Sequence, residues 1–584
     1  MTAPVIDGSV QPQPVAVAGC LGWLHLPPPG QLRGRGVVIC APWGHEALCA
    51  YRGLYDLAQR CATNGLPTLR LDYPGTGDSP GDDAPGRFDA SRDAIVAATA
   101  WLQTEARVAE VALCGFRLGC MLAAAAAASL GGRIAAVALL SPPVSGRALA
   151  RQITLAARAA ETADTGPGCE WLELGGDLLH QTELVRLARS EPADALSAAR
   201  IPRILLLERS PALAARLADL GDVTFLPFKG ADVFAKHHLA PVPCEDFARV
   251  ADWLAESAAS AQAEPQPSAL PAFDLGADGM EQPVRFGPDG VLAGVLSTPS
   301  PELRRRVAVL LLNTGALPRA GAGRFGVRLS RHLARLGFAT LRMDSTGVGD
   351  SAVPCAQHEE TAPPDMFRDE LVAEAQAGLD LLGMQGATRC LVVGVCSGAH
   401  VALQLARRDG RADAVALFNL PAFDRSAGGA PALDGGPPPG EIPLLRRPKM
   451  LLRRLCAEAD AAIAALFGVE AGLDRPGNWM RALSARGVGV LLAYSARDRG
   501  LRELRAHFGR RGRRLARFPN VRRVILDGTE HSLSPRIMQA QALRLIEEEA
   551  LLLDRAPAAL RVIAAVETWA GMEAPAPGAS IPAS

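Results

Sequence analysis

The stretch that decides the fold of this chain covers residues 390–400 and reads Cys390-Leu391-Val392-Val393-Gly394-Val395-Cys396-Ser397-Gly398-Ala399-His400. An apolar run ends in Gly-x-Cys-x-Gly, and residues 399–407 that follow are good helix formers. This layout predicts a nucleophile elbow, the tight strand-to-helix turn that lifts one side chain above a sheet. The glycines allow strand and helix to approach closely, and the residue between them is predicted to be strained. That residue is Cys396, in a position where serine is usual.

Length and composition exclude several classes of protein. The 584 residues are enough for more than one domain, and no segment reaches the roughly 18 uninterrupted apolar residues of a membrane span. The net charge is zero, so no general attraction to nucleic acid is expected. The twelve cysteines are scattered without CxxC pairs, which argues against a zinc site or a disulfide framework. Since the N-terminus shows no secretion signal, we expect a cytoplasmic protein. We also expect the protein to need no metal or other cofactor.

An internal repeat predicts two units of similar plan. Residues 69–79 recur as residues 341–351, and both copies contain Leu-Arg-x-Asp followed by Gly-x-Gly-Asp-Ser. Because strands alternate with helices around each copy, the chain is predicted to be α/β. Each unit should have a mostly parallel sheet flanked by helices and a helical insertion. The Asp350-Ser351 turn that closes the second copy is predicted to hold its own loop by side-chain hydrogen bonds.

Domain boundaries follow from the repeat and from a shift in composition. The segment between the units is rich in Ala, Ser, Pro and Gln, which is typical of a linker. The helical insertions are predicted at residues 146–197 and 421–485. The chain is thus divided into a first unit (1–258), a linker (259–280), a second unit (281–555) and a partly disordered tail (556–584).

Two late strands of the second unit supply the partners that an elbow nucleophile needs. The predicted strand 488–494 is followed by Asp498, and the predicted strand 521–526 is followed by His531. In this arrangement of elements the acid precedes the histidine. We therefore assign Cys396 as nucleophile, His531 as general base and Asp498 as the carboxylate that orients the imidazole.

Backbone amides are predicted to complete this site. The oxyanion hole should use the amide of Ser397 and one amide near Thr314 and Gly315. The N-terminus of the helix after the elbow and a neighbouring imidazolium both favour the thiolate form of Cys396.

Each assignment in the second unit has an alternative. Cys396 can be a small buried apolar residue, and Asp527 or Glu530 can replace Asp498 as the acid. His400, one helical turn beyond the elbow, is better explained by packing than by catalysis. Ser397 lies one residue past the apex, so its side chain should point away from the site.

The first unit has the glycines of an elbow but lacks the residues that catalysis requires. Its apex is Arg117, which stays protonated and cannot act as a nucleophile. Glu208 and Val233 occupy the positions of the acid and the histidine. His237 and His238 lie nearby in the sequence, but they have no nucleophile to serve. We therefore predict that the first unit is not catalytic.

The arginine at the first apex has two open interpretations. Arg117 can hold an anion at the N-terminus of the helix that follows it. Alternatively it forms an internal ion pair, for which Glu208 and Asp232 are candidates.

These motifs resemble those of the α/β-hydrolase superfamily, over nearly the whole chain and twice. More narrowly, both halves resemble the hydrolases that accompany exosortase systems in polysaccharide-producing Gram-negative bacteria. The first half is similar to the second type of that group in its arginine apex and in residues 141–146. The second half is similar to the first type in its Gly-x-Cys-x-Gly-Ala elbow, in residues 495–498 and in residues 528–534. It departs at Ser397, where an acid is expected, and at Ser345, where a tyrosine is more typical.

The resemblance implies a hydrolase-like protein whose substrate is not established, and two functions stay open. One is a Cys-His-Asp hydrolase or acyltransferase acting on an ester, lactone or thioester, with a small-molecule or carrier-bound acyl substrate. The other is a non-catalytic binding or scaffold protein linked to exopolysaccharide or exosortase systems. Neither involves nucleic acid or a membrane span, and the oligomeric state stays open. The two differ in whether Cys396, His531 and Asp498 come within hydrogen-bonding reach.

Overall fold

A computed structural model of the chain describes residues 5–6, 9–159, 170–208, 212–220, 222–228, 234, 236–261, 265, 270–351, 365–424 and 475–556. A short antiparallel pair, Val5–Ile6 with Ser9–Val10, precedes two large sheets of eight and nine strands. In the described part of the chain, no helix is both long and apolar enough to cross a membrane.

The first sheet is parallel apart from two antiparallel pairs at one edge. Its strand order is β10-β9-β6-β5-β3-β4-β2-β1; β2 pairs antiparallel with both β1 and β4, and all other pairs are parallel. The strands of the first unit, including a separate hairpin (β7 and β8), are β1 (Gln13–Val17), β2 (Cys20–His25), β3 (Arg35–Cys40), β4 (Thr68–Leu71), β5 (Glu110–Phe116), β6 (Ile134–Leu140), β7 (Trp171–Leu174), β8 (Asp177–His180), β9 (Arg203–Glu208) and β10 (Asp222–Pro227). Its helices are α1 (Gly44–Thr63), α2 (Arg87–Thr104), α3 (Leu118–Leu130), α4 (Gly146–Ala159), α5 (Gln181–Ala188), α6 (Pro192–Ala199), α7 (Ala212–Leu217) and α8 (Cys244–Ala255).

The second sheet repeats this plan with one further edge strand. Its order is β11-β12-β13-β15-β14-β16-β17-β18-β19, and the strands from β15 to β19 are parallel. These strands are β11 (Phe273–Asp274), β12 (Met280–Phe286), β13 (Leu292–Thr298), β14 (Val307–Leu311), β15 (Ala339–Asp344), β16 (Arg389–Val395), β17 (Ala412–Phe418), β18 (Gly489–Ser495) and β19 (Val521–Leu526). The helices are α9 (Phe325–Arg335), α10 (Glu370–Met384), α11 (Ser397–Arg408), α12 (Arg475–Ala485), α13 (Gly500–Phe508) and α14 (Arg536–Arg555).

The predicted fold class is confirmed: two mostly parallel sheets flanked by helices follow one another in the chain. Central strands such as β6 and β14 are buried along almost their whole length, because helices cover both faces of each sheet. In each unit the elbow lies at the carboxyl end of a central strand, β5 or β16.

The antiparallel strands at the sheet edges and the β7–β8 hairpin were not predicted from the sequence. Strand β12, next to the edge strand β11, contains Pro283 and several polar residues, so its sequence is not typical of a strand. The first insertion, predicted to be mostly helical, contains this hairpin between its helices. Most of the second insertion, at 421–485, lies outside the described residues.

The segment predicted as a linker contacts both units at its two ends. The amide of Gly34 donates to the carbonyl oxygen of Ala259, and Phe273–Asp274 is the edge strand β11 of the second sheet. The boundaries at residues 258, 280 and 555 stay predictions, and nearly all of the tail lies outside the described residues.

The two copies of the internal repeat contact each other through reciprocal ion pairs. Arg70 of the first copy pairs with Asp350 of the second at 2.5 Å, and Arg342 of the second copy pairs with Asp78 of the first at 3.2 Å. All four side chains are buried. Equivalent residues thus exchange partners, which is the pattern of an interface between two copies related by two-fold symmetry.

A fifth charged residue joins this network from the second unit. The Arg319 guanidinium lies 2.8 Å from carboxylate oxygens of both Asp78 and Asp350, and it also contacts Asp344. Tyr51 of the first unit donates its hydroxyl to Asp350 at 2.8 Å. Removing one member of a buried ion pair leaves the other charge uncompensated, so the docked arrangement of the units requires all members of this network.

The Asp-Ser pair at the end of each repeat has two roles. The Ser79 and Ser351 hydroxyls donate to the carbonyl oxygens of Asp72 and Asp344, each at 2.7 Å, so the serines hold their own loops, as predicted for Ser351. The aspartates before them instead direct their carboxylates to arginines of the other unit. The sequence did not indicate this second role.

Candidate functional site

The second elbow has the predicted strained geometry. Cys396 lies between β16 and α11 with φ 56° and ψ −119°, a conformation that costs free energy in a non-glycine residue. Its flanking glycines are sterically required. A Cβ on Gly394 would lie 2.1 Å from the backbone of Gly398, and a Cβ on Gly398 would lie 2.4 Å from the carbonyl oxygen of Asn313.

The structure brings together the three side chains that the sequence proposed. His531 Nδ1 donates to Asp498 Oδ2, and the same imidazole interacts electrostatically with the Cys396 side chain. The other oxygen of Asp498 accepts the amide of Gly500 at 2.7 Å, which fixes the carboxylate. Cys396 is only 5% exposed, whereas the His531 side chain is 29% exposed, so the site is open to solvent on the histidine side.

The surroundings of His531 favour its charged form. Burial alone lowers the pKa of this histidine, but the hydrogen bonds and negative charges of Asp498 and Cys396 raise it to about 10. At neutral pH the imidazole is therefore charged, with Asp498 on one side and the Cys396 side chain on the other.

The alternative acids of the second unit are oriented elsewhere. Asp527 is exposed, and its amide donates to the side chain of Gln541. The Glu530 carboxylate accepts the amide of Ser534 at 2.7 Å, within its own loop. Of the three acids that the sequence left open, Asp498 is the one that contacts the imidazole.

Asn419 positions the histidine loop and was not identified from the sequence. It lies just after β17 with φ 50°, and its side-chain amide donates to the carbonyl oxygen of His531 at 2.6 Å and to the Ser495 hydroxyl at 2.8 Å. Ser495 in turn donates to the carbonyl oxygen of Glu530 at 2.8 Å. A polar residue ending an otherwise apolar strand was the available signal, because the carboxyl ends of neighbouring parallel strands meet at one edge of the sheet.

The predicted oxyanion loop lies against the elbow. The Gly315 amide donates to the Ser397 hydroxyl at 3.0 Å, so the serine side chain ties the loop to the first turn of α11. Ser397 is the first residue of that helix, and the amides of a first helical turn have no intrahelical partner. The Ser397 amide therefore points out of the helix end beside Cys396, whereas the Gly315 amide is already bonded to a side chain.

The first unit reaches this oxyanion loop with a histidine that had no role in the sequence analysis. His238 Nε2 lies 3.3 Å from the position that a Cβ on Gly315 would take. The adjacent Leu239 packs against an apolar cluster of the second unit that includes Ala316 and Phe367. His237, the other histidine considered, stacks on His238 with ring centroids 5.2 Å apart.

The β7–β8 hairpin of the first unit supports the loop on the other side of the site. A Cβ on Gly176, in the hairpin turn, would lie 2.4 Å from the carbonyl oxygen of Ser534. A carboxylate oxygen of Glu173 accepts the amide of Arg536, the first residue of α14, at 2.8 Å. The first unit thus contacts both loops that flank the candidate site.

The first elbow has nearly the same backbone conformation as the second, but the side chain at its apex has a different partner. Arg117 adopts φ 53° and ψ −119°, nearly identical to Cys396. Its guanidinium pairs with Glu46 of α1 at 2.9 Å and also donates to the side chain of Gln152 at 3.1 Å. The ion-pair interpretation is therefore right, but the partner is Glu46, which the sequence analysis did not consider, rather than Glu208. Asp232 lies outside the described residues.

Of the other two positions of the first site, the structure describes only one. Glu208 ends strand β9, and burial raises the pKa of its carboxyl group. Val233, assigned to the histidine position, lies outside the described residues.

No family model and no curated protein match this chain. Solved structures do match, among them Est1E from Butyrivibrio proteoclasticus, which is 16% identical, with a TM-score of 0.32 over 42% of this chain and 96% of its own. The Pyrococcus furiosus esterase Pf2001 is 14% identical, with a TM-score of 0.31 over 43% of this chain and 96% of its own. XC6422 from Xanthomonas campestris, described as an a/b serine hydrolase without lid, is 15% identical, with a TM-score of 0.27 over 43% and 94%. At these identities and TM-scores the likeness bears on neither activity nor substrate.

Proposed function

We propose that the second unit is a thiol hydrolase or acyltransferase of the α/β-hydrolase superfamily that acts on an ester, lactone or thioester. Cys396 is its nucleophile, His531 its acid and base, and Asp498 the carboxylate that orients the histidine. The observation that carries this proposal is that His531, which donates to Asp498, also interacts electrostatically with a cysteine at the apex of a strained elbow.

The first half of the reaction forms a thioester on the enzyme. The Cys396 thiolate attacks the acyl carbon, and the carbonyl oxygen becomes an oxyanion that the Ser397 amide is placed to stabilise. The amide of Thr314 is the second donor that we propose, because that of Gly315 is bonded to Ser397. As the tetrahedral intermediate collapses, imidazolium His531 gives its proton to the leaving oxygen or sulfur.

The second half returns the enzyme to its starting state. Neutral His531 removes a proton from water, or from an acceptor alcohol or thiol, which attacks the acyl-enzyme carbon. The carbon–sulfur bond breaks, the Cys396 thiolate leaves, and the imidazolium is restored. Asp498 stays ionised throughout and holds the ring in the required orientation.

The reactivity of Cys396 tests this pairing directly. We expect iodoacetamide to label Cys396 fastest among the free cysteines near neutral pH, because the thiolate is the reactive form. Burial raises the pKa of seven other free thiols, to about 11 in Cys20 and about 12 in Cys49 and Cys61. Replacing His531 with alanine removes the imidazolium and should slow labelling more at pH 7 than at pH 10. Site-resolved mass spectrometry measures both rates.

The control for this experiment is His507→Ala, which removes a histidine of α13 whose ion-pair partner is Glu503 rather than an acid of the site. It should leave the labelling of Cys396 unchanged. Equal labelling of Cys396 in the wild type and in His531→Ala at every pH would contradict the pairing and favour a non-catalytic scaffold.

The first unit should not contribute to turnover through its own elbow. We expect Arg117→Ala to keep the turnover of small esters within about twofold of the wild type, because Arg117 is bonded to Glu46 and Gln152 in its own unit. Stability should fall, since Glu46 loses its partner. Steady-state kinetics on a fluorogenic ester and thioester panel gives the comparison. A loss of turnover in Arg117→Ala that Cys396→Ala does not show would reverse the assigned roles.

A further inference from the structure

The loop after β14, which carries the proposed Thr314 donor, is fixed at its base by its own unit. The Asn313 side-chain amide donates to the carbonyl oxygen of Leu317 at 3.0 Å and to Asp344 at 3.1 Å. At the tip, Gly315 adopts φ 56°, and a glycine leaves the backbone more rotational freedom than any other residue. The direction of the tip amides therefore depends on the groups that pack against Gly315.

Gly315 is contacted from both units. Within the second unit, its amide donates to the Ser397 hydroxyl at 3.0 Å. From the first unit, the His238 imidazole takes the place that a side chain at position 315 would occupy, because its Nε2 lies 3.3 Å from the ideal Cβ position. Any side chain at position 315 would crowd this imidazole, so the glycine and the histidine fit one another across the interface between the units.

The turn of the first unit that carries His238 is held by its own side chains. His237 Nδ1 accepts the amide of Leu239 at 3.1 Å, and His45, at the start of α1, donates to the carbonyl oxygen of Lys236 at 3.3 Å. The rings of His237 and His238 stack with their planes only 8° apart. The first unit therefore sets the orientation of the His238 ring.

A second contact holds the turn against the same loop. Leu239 packs against the apolar cluster of the second unit that includes Ala316 and Phe367. Ala316 directly follows Gly315 in the loop. The Phe367 ring lies edge-on to His400, in the first turn of α11, with ring centroids 5.5 Å apart. The turn therefore packs on the loop with two successive side chains, and its displacement would free the tip to move relative to the elbow helix.

We propose that His238 is a positioning residue for the oxyanion loop, so that the first unit completes an active site that it does not itself possess. This inference rests on the proposed function. The imidazole packs against Gly315 and holds the tip where the Thr314 and Ser397 amides converge on one substrate oxygen. It transfers no proton in the reaction. Turnover by the second unit thus depends on the docked first unit, which gives the non-catalytic unit a role.

Removing the imidazole tests this inference on the full chain. In His238→Ala, we expect kcat for a fluorogenic thioester to fall about 10- to 100-fold with KM within about twofold of the wild type, because the lost stabilisation acts on the transition state. Labelling of Cys396 by iodoacetamide should stay within about twofold of the wild type, because alkylation forms no oxyanion. A general disturbance of the site would slow both reactions.

His238→Gln is the conservative variant, because its side-chain amide reaches the place of the imidazole Nε2. It should restore kcat to at least about one third of the wild-type value with the same pH profile, since the residue positions the loop and exchanges no proton. The matched control is His332→Ala, which removes a partly buried histidine of α9 that pairs with Glu547 at 2.9 Å. It should leave kcat and the labelling of Cys396 unchanged.

Hydrogen exchange of the loop, followed by mass spectrometry, gives a readout that needs no turnover. In a peptide covering residues 313–317, amide exchange should be at least about tenfold faster in His238→Ala than in the wild type and in His332→Ala. Unchanged loop exchange, a parallel loss of kcat and Cys396 labelling, or a loss of kcat that His238→Gln does not restore would overturn the inference. Turnover that survives in Cys396→Ala would refute the proposed function and this inference with it. An inactive Cys396→Ala together with a fully active His238→Ala would refute this inference alone.

Discussion

Replacing Cys396 with alanine is expected to reduce the turnover of esters and thioesters by on the order of 10⁴-fold or more, because no other group can form the acyl-enzyme bond. The protein should remain folded, because alanine leaves the packing of the elbow unchanged. It also fits into the space of the Cys396 thiol, which is 5% exposed. Steady-state kinetics with the same ester and thioester panel, together with circular dichroism, measures the two properties separately.

The chain offers a matched control for this substitution in the strand before the elbow. Cys390 is also 5% exposed, and burial raises the pKa of its thiol well above the usual value. Cys390→Ala should therefore keep near wild-type turnover at a small cost in stability. If both cysteine variants retained activity, the nucleophile would not be Cys396, and the thiol mechanism would have to be abandoned.

Removing the charge of the Asp498 carboxylate should also reduce turnover strongly. Asp498→Asn keeps the size of the side chain, but it removes the charge that orients His531 and stabilises its imidazolium form. A loss of roughly 10³- to 10⁴-fold in turnover is expected by analogy with other triads. Asp527→Asn, an exposed neighbour of the histidine loop, should change turnover by less than about twofold.

Replacing Asp350 with asparagine is expected to lower the free energy of unfolding by about 3–5 kcal/mol, because it leaves buried arginines without their counter-charge. Asp350 is fully buried; it contacts Arg70 and Tyr51 across the interface between the units and Arg319 within its own unit. Burial alone raises the pKa of this carboxyl group, but Arg70 and Arg319 hold it well below its usual range. Urea unfolding at pH 7, followed by tryptophan fluorescence, gives the comparison.

The sign of the pH dependence follows from that lowered pKa. A carboxyl group with a depressed folded pKa contributes stability above its unfolded pKa of about 3.9, and loses it as the pH falls toward the folded value. The difference between Asp350→Asn and the wild type should therefore be constant above about pH 5 and shrink only in stronger acid. The control is Asp380→Asn, which removes an exposed carboxylate from a surface ion pair with Arg411 and should cost less than about 1 kcal/mol. Equal losses in the two variants would show that the buried network does not stabilise the docked units.

The sequence by itself determined the local structure of both units and most of the candidate site. Two glycines around one residue at a strand-to-helix junction predict the elbow, and both Arg117 and Cys396 adopt its strained geometry. Apolar runs separated by helical patterns predicted two parallel sheets, because strands that are buried on both faces are nearly continuous runs of apolar residues. The order of Cys396, Asp498 and His531 along the chain was sufficient to propose their contact, since the ends of neighbouring parallel strands converge.

Only the tertiary structure decided which side chains meet across the two units. Arg70 and Asp350 are 280 residues apart, and nothing in either copy of the repeat indicates that its aspartate pairs with an arginine of the other copy. The same holds for Glu46 opposite Arg117 and for Asn419 beneath the histidine loop. Hydrophobic periodicity encodes the conformation and burial of a segment. The partner of a polar side chain depends on how elements dock, and a buried polar group takes whichever partner that docking brings within reach.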